Sequence, residues 1–157
     1  MADAATPALA ALVKAEVQHE VFLFEVISDL SESGDIAPAQ VFKTLIIALP
    51  DRLAVAIVPV PVPVPVPSKL SLKAAAAALG VAKARMAEPA AAERSTGYVV
   101  GGISPFGQRK PLRTVLDSSA LSWERVLCSA GRQHWDVAVA PQDLIRLTRA
   151  ITADIRA

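Results

Sequence analysis

Gln40-Val-Phe-Lys-Thr-Leu-Ile-Ile-Ala-Leu-Pro-Asp-Arg-Leu-Ala-Val-Ala-Ile-Val-Pro-Val60 holds two apolar runs, Val41 to Leu49 and Leu53 to Val60, separated by Pro50-Asp51-Arg52. Runs of this length around a turn predict a hairpin of two largely buried strands. Upstream, Val21-Phe-Leu-Phe-Glu-Val26 is β-branched and aromatic and predicts a strand. Before it, Thr6-Pro7 is an N-cap with proline at the first helical position, and Leu9, Leu12, Val13 and Val17 continue a helical stripe to about Val17. Ser28 to Ala37, rich in acids and holding Gly34, predicts a loop. Downstream, Ser71 to Gly80 has a serine cap, helix formers and a terminal glycine. A short helix is expected from Pro89 to near Arg94, and short strands at Arg113 to Leu116, Arg125 to Ser129 and Trp135 to Ala140. The chain closes on an amphipathic helix from Pro141, with Leu144, Ile145, Leu147 and Ile151 inward. Helices and strands intersperse without strict alternation, which predicts an α+β fold with a mixed sheet and helices packed around it.

Pro59-Val-Pro-Val-Pro-Val-Pro-Val-Pro67 is the oddest stretch. Proline at every second position removes the N–H groups from one edge of an extended segment, so it can pair on one side only. It reads either as a repeat expansion in a strand-to-helix connection or as a proline-rich ligand for another domain.

The chain has 157 residues, a length that predicts one domain over 1–157 with no need of a disulfide or metal staple. A formal charge of +1 excludes a wholesale polycation. One cysteine, Cys128, excludes a disulfide framework and a multi-cysteine zinc site, and two histidines, His19 and His134, are too few for most histidine metal sites, so no metal and no cofactor are expected. Apolar residues are 53% of the chain and aromatics 4%, so the core must be aliphatic, and a base-stacking surface built from several exposed rings is excluded. Met1-Ala-Asp-Ala-Ala-Thr-Pro7 carries an acid and no basic stretch and does not read as a signal peptide. The longest apolar run, Leu53 to Pro67, is too short and too proline-rich to span a bilayer, so a cytoplasmic protein is expected.

Several residues could carry chemistry. Lys43 opens an otherwise apolar strand, where it either snorkels to the rim of the sheet or points a fixed cation into a cleft. Gly97-Tyr-Val-Val-Gly-Gly-Ile-Ser-Pro-Phe-Gly107 packs four glycines and a proline around a short apolar core. Its backbone N–H groups either cradle an anion or carbonyl oxygen or form a tight turn with no ligand, and the spacing matches neither a P-loop nor a dinucleotide fingerprint. Arg109, Lys110 and Arg113 follow, as phosphate contacts or as a solvated basic turn. Ser129 and Asp136 end two expected strands and would face one another across a hairpin, for chemistry or for capping the turn. His134 lies two residues before Asp136, yet no serine motif accompanies the pair, and Cys128 reads as a small core residue.

Gln40-Val-Phe-Lys-Thr-Leu, Leu53-Ala-Val-Ala-Ile, Leu72-Lys73, Ala78-Leu-Gly80 and above all Arg94-Ser-Thr-Gly-Tyr-Val-Val-Gly-Gly-Ile-Ser-Pro-Phe-Gly-Gln108 resemble the YbaK family, relatives of the editing domain inserted in bacterial prolyl-tRNA synthetase. The resemblance runs from about Pro7 to Ile155. It implies a mixed sheet, partly closed like a barrel, and an aminoacyl-tRNA deacylase that hydrolyses mischarged Cys-tRNA(Pro). On the family's pattern Lys43 is the essential lysine, Gly101-Gly102-Ile103-Ser104-Pro105 the substrate loop, and Ser129 and Asp136 the remaining polar residues of the site. Phe24 stands where the family often has tyrosine, a lost hydroxyl, and the Pro-Val expansion replaces a shorter connection.

The resemblance further implies that the thiol of the esterified cysteine attacks its own ester, so that selectivity follows from chemistry rather than pocket size. The implied partners are mischarged tRNA(Pro) and prolyl-tRNA synthetase, with a homo-oligomer left open. Two other readings keep the fold: a deacylase for another small or non-protein amino acid on tRNA, and a weakly active tRNA- or synthetase-binding adaptor.

Overall fold

The structure is a computed structural model, and it describes residues 6–25, 36–60 and 70–157. In chain order the elements are α1 (Pro7–Lys14), β1 (Glu20–Leu23), β2 (Phe42–Ala48), β3 (Leu53–Pro59), α2 (Leu72–Ala78), β4 (Arg85–Met86), α3 (Pro89–Thr96), β5 (Thr114–Asp117), β6 (Val126–Arg132), β7 (Trp135–Val139), α4 (Pro141–Thr148) and β8 (Ile151–Ala153), with 3-10 turns at Pro38–Gln40 and Ser118–Ser122.

The hairpin expected around Pro50 is the centre of the molecule: β2 and β3 pair antiparallel, Phe42 opposite Pro59 and Ala48 opposite Leu53. Around them forms a five-stranded mixed sheet in the order β4-β2-β3-β5-β8, in which β3–β5 and β5–β8 are parallel. The strands β1-β7-β6 make a second, antiparallel sheet. Among the described residues a parallel bridge, Val41 to Leu127, joins the two. The barrel-like sheet implied by the family resemblance is therefore two sheets, and no closed barrel forms among the described residues.

Strand alternation sorts the core. Phe42, Ile46, Val55, Ile57 and Leu116 point from the five-stranded sheet towards Val126, Cys128, Val137 and Val139 of the second sheet, with Leu9 and Leu12 of α1 and Leu144 of α4 in the same cluster. Ile47, Ala54, Ala56, Val58 and Val115 face the other way, under Ala75 and Leu79 of α2. Both faces of β3 are covered, which is why its sequence is continuously apolar rather than alternating.

Two helices end earlier than the periodicity suggests. In α1, Glu16 adopts φ 56°, its N–H donates to Val13 O and that of Val17 to Leu12 O, a Schellman closure in which Val17 still reaches the core. In α4, Arg149 adopts φ 57° and the N–H of Ala150 donates to Ile145 O. Ile151, expected on the inward face of that helix, instead begins β8 and is 37% exposed. The strand expected over Val21 to Val26 ends at Leu23, with Phe24 still donating its N–H to His134 O. Positions 61–67 of the Pro-Val segment lie outside the described residues.

Candidate functional site

β4 is two residues long and pairs only with Ile47 and Ala48, so between the Val41–Leu127 bridge and Ile46 no strand pairs with that edge of β2 among the described residues. Against this open edge lies a cavity of about 610 Å³, walled by β2, the β6–β7 hairpin, the glycine-rich loop and the start of α3. The chain brings together there Lys43, Ser129, Asp136, Phe24, Gly101 and Ile103, which the sequence singles out from separate places.

Ser129 and Asp136 are direct partners across β6 and β7, and Phe22 of β1 is the partner of Asp136 on its other side. Ser129 Oγ accepts the N–H of Gly131 at 3.1 Å, so it caps the turn and also keeps its O–H for a ligand. Asp136 is 7% exposed, and its carboxylate makes no hydrogen bond or ion pair among the described residues. Burial pushes its carboxyl up to about 7, because loss of water disfavours the charged form and no cation compensates. A carboxyl poised there can take up or release a proton near neutrality. Cys128, one residue from Ser129, points to the opposite face and is wholly buried. Burial first, then the nearby Asp136 charge, raises its thiol well above the ordinary value, so it is no nucleophile.

Lys43 is exposed at the rim. Phe24 meets the ring of His134 edge-on, centroids 5.9 Å apart. His134 does not share a strand face with Asp136; it sits in the β6–β7 turn at φ 70°, and reaches the cavity from there beside Arg132 and Gln133. The sequence reading missed Arg132, Gln133, Met86 and Thr44 as lining residues. Only the turn between two expected strands hinted at the first two.

The glycine-rich loop divides in two. Gly101 adopts φ +99° and a Cβ there would meet only Gln133 Cδ, at 4.0 Å, so its left-handed backbone rather than space selects glycine. Gly102 has an ordinary φ, but a Cβ would lie 2.9 Å from Gln133 N and 3.0 Å from Arg132 C: the loop and the β6–β7 turn touch backbone to backbone. The N–H of Gly102 donates to Val99 O at 2.8 Å, so it is engaged in a turn. The amides of Gly101 and Ile103 donate to no group among the described residues. Ser104 and Pro105 are buried behind the wall, not on it: Ser104 Oγ accepts the N–H of Phe106, and Ser104 O accepts Gln108 Nε2.

Arg109, Lys110 and Arg113 do not line the cavity. Arg109 packs over Gly97, and the N–H groups of Arg109 and Lys110 close the end of α3 on Thr96 O and Ser95 O. Arg113 donates through Nη1 to Leu79 O at 2.9 Å and caps α2. The exposed basic side chains on the cavity wall are instead Lys43 and Arg132, the latter 4.8 Å over the ring of Trp135.

Among the described residues no group of three or more metal-ligating side chains gathers, and no helix is long and apolar enough to cross a membrane.

A family model, the aminoacyl-tRNA editing domain, matches residues 25–147. A candidate Cys-tRNA(Pro)/Cys-tRNA(Cys) deacylase of Enterococcus faecalis (strain ATCC 700802 / V583), EbsC, is 33% identical over 76 residues, 48% of this chain and 46% of that protein. The match thus spans about half the length of this relative. Among solved structures, a candidate trans-editing enzyme for prolyl-tRNA synthetase superposes with a TM-score of 0.82 at 21% identity, over 100% of this chain and 99% of the other. A hypothetical protein superposes with a TM-score of 0.80 at 18% identity, over 97% and 100%. These likenesses carry the mixed α+β fold along the whole chain.

Proposed function

The chain belongs to the aminoacyl-tRNA editing domain family, and we propose that it is a deacylase acting in trans on mischarged Cys-tRNA(Pro). The observation that carries this reading is Asp136: a buried, unpaired carboxyl held near neutrality beside Ser129 in the wall of the cavity. The sequence alone suggested no general base, and burial supplies one.

An aminoacyl ester is already activated, so the site has to hold the acceptor end, stabilise the developing oxyanion and manage one proton. The ammonium of Lys43 at the rim holds a terminal phosphate. The amides of Gly101 and Ile103 and the O–H of Ser129 are the donors at hand for the ester oxygen. The Asp136 carboxylate takes the proton of the substrate thiol, and the thiolate sulfur bonds to the ester carbonyl carbon. The bond from that carbon to the ribose oxygen then breaks, and this oxygen recovers the proton from Asp136. The products are tRNA with its terminal hydroxyl and a cysteine thiolactone, which water opens to cysteine. With a net charge of only +1, affinity for tRNA from this chain alone is modest, which favours action in complex with prolyl-tRNA synthetase.

Hydrolysis of cysteinyl-, seryl-, alanyl- and prolyl-tRNA(Pro) tests the reading. Cysteinyl-tRNA should be cleaved fastest by far, and S-methylation of the esterified cysteine should nearly stop the reaction. Lys43→Ala should lose activity about 100-fold without unfolding, and Lys43→Arg should restore it only in part, since a planar fork does not replace a compact ammonium. Rapid cleavage of the methylated ester would require an enzyme-bound water instead. Binding of tRNA with no hydrolysis of any ester would make the protein an adaptor.

A further inference from the structure

Thr44 follows Lys43 on β2, and alternation separates their fates: Lys43 is exposed, whereas Thr44 is 8% exposed, on the face of Phe42 and Ile46 and opposite Ile57. Its Oγ1 is buried and has no hydrogen-bond partner among the described residues. Among the described residues two other buried hydroxyls share that property, Ser95 and Ser119, but neither lines the cavity, and Thr44 does. Ile46 on the same strand, with Ala87, Pro89, Ala92 and Ile103, gives the cavity its apolar lining, and Ser129 and Asp136 belong to its polar part. The main chain adds to this. Val41 O accepts from Val60 N and Leu49 N donates to Arg52 O, so the odd-numbered residues of this strand bond towards β3. The N–H and C=O of Thr44 therefore turn to the edge that β4 leaves uncovered, as Ile46 O does in accepting the N–H of Ala87.

A hydroxyl buried without a partner destabilises the protein relative to a methyl group of the same shape, and native structures rarely keep one without a use. We propose that Thr44 is the specificity-determining residue of the cavity, its hydroxyl exchanging a hydrogen bond with a polar atom on the side chain of a small esterified amino acid, a thiol or a hydroxyl. The oxygen is covered as the side chain stands, so the proposal requires a change of χ1 to another staggered position to turn it to the ligand. Thr44 then discriminates by its hydroxyl, since a side chain lacking the matching atom leaves it unpaired. Alanine is then disfavoured at binding, in addition to lacking a nucleophile. The inference rests on the deacylase reading only for the kind of ligand that enters the cavity.

The test uses adenosine conjugates of cysteine, serine and alanine joined through a 3′-amide, which cannot be hydrolysed, titrated calorimetrically into the full chain. The wild type should bind the cysteine and serine conjugates about tenfold more tightly than the alanine conjugate. Thr44→Val should bring that ratio close to one, leave affinity for the alanine conjugate unchanged, and melt no lower than the wild type. Thr44→Ser should keep the ratio, and so should Ser119→Ala, which removes an orphan hydroxyl elsewhere. A ratio unchanged in Thr44→Val, an equal loss for all three conjugates, an absence of discrimination in the wild type, or unfolding of the valine variant would each overturn the assignment, the last by revealing a structural partner. Hydrolysis of the corresponding tRNA esters is read in parallel. Selective binding without hydrolysis would sink the deacylase reading and leave Thr44 standing, whereas hydrolysis with an unchanged ratio would sink Thr44 alone.

Discussion

The two faces of the β6–β7 hairpin come from the same two strands and have opposite fates. On one face Cys128 stands opposite Val137, both wholly buried in the main core. On the other, one residue along, Ser129 stands opposite Asp136 in the cavity wall. Burial acts on both acidic groups in the same direction. It lifts the thiol, already weakly acidic, further from ionising and so silences it. It lifts the carboxyl from the acid range to about 7, where it can exchange a proton under working conditions. One physical cause disables a group whose ordinary pKa is high and enables one whose ordinary pKa is low.

The sharpest way to break this contrast is Asp136→Asn, which keeps the shape and removes the titration. Deacylation should fall about 100-fold. In the wild type the rate should rise with pH through about 7 and level off as the carboxylate forms, and the asparagine variant should lose that limb. Stability should move the other way. The folded carboxyl holds its proton to about 7 while the unfolded one releases it near 3.8, so the folded form binds more protons between those values. The contribution of this group is fully present below about 3.8 and lost as pH rises through about 7, and denaturation of the asparagine variant should show a weaker decline over that window. A variant with the wild-type pH–rate profile would remove Asp136 from the reaction.

The glycines that meet the turn of this hairpin extend the contrast to a smaller effect. Gly102→Ala drives a Cβ into the backbone of Arg132 and Gln133 and should cost about 2 kcal/mol of stability, with activity lost in proportion as the loop shifts. Gly101→Val meets open space but a strained φ of +99°, and should cost about 1 kcal/mol while lowering turnover more than stability, because its branches intrude on the cavity. Denaturant midpoints and kcat/KM measured together separate the two. Identical profiles for both variants would reduce the loop to a structural turn.

The smallest effect belongs to the silent face. Cys128→Ala leaves a small void in a fully packed cluster and should cost about 1 kcal/mol, with deacylation within about twofold of wild type. A large loss of activity from a stable variant would mean that the thiol takes part after all.

Much of the geometry around this cavity is legible along the chain, and the reasons are local. Proline, aspartate and arginine between two apolar runs signal the β2–β3 turn whatever surrounds them, and a short turn between Ser129 and Asp136 puts those residues opposite one another by strand geometry alone. At Arg113 the chain is ambiguous, because a basic side chain after a basic pair looks alike whether it awaits a phosphate or caps Leu79, the contact it makes here. Gly102 is ambiguous for a similar reason: a glycine forced by close backbone approach is indistinguishable, in one dimension, from a glycine that offers its N–H to a ligand. Ile151 continued a helical stripe that Arg149 had already ended in the left-handed conformation.

By itself the sequence determined the α+β class, the buried central hairpin, the aliphatic core and the family, because hydrophobic periodicity, caps and turn residues act over a few positions and survive in one dimension. Tertiary structure alone decided that the sheet splits in two, that β4 stops short and opens an edge on β2, that Asp136 lacks a partner among the described residues and has its carboxyl pushed up by burial, and that the Thr44 hydroxyl goes unanswered among them. Each of these depends on which distant groups approach or fail to approach, and desolvation and hydrogen-bond satisfaction are properties of the packed surroundings rather than of the residue.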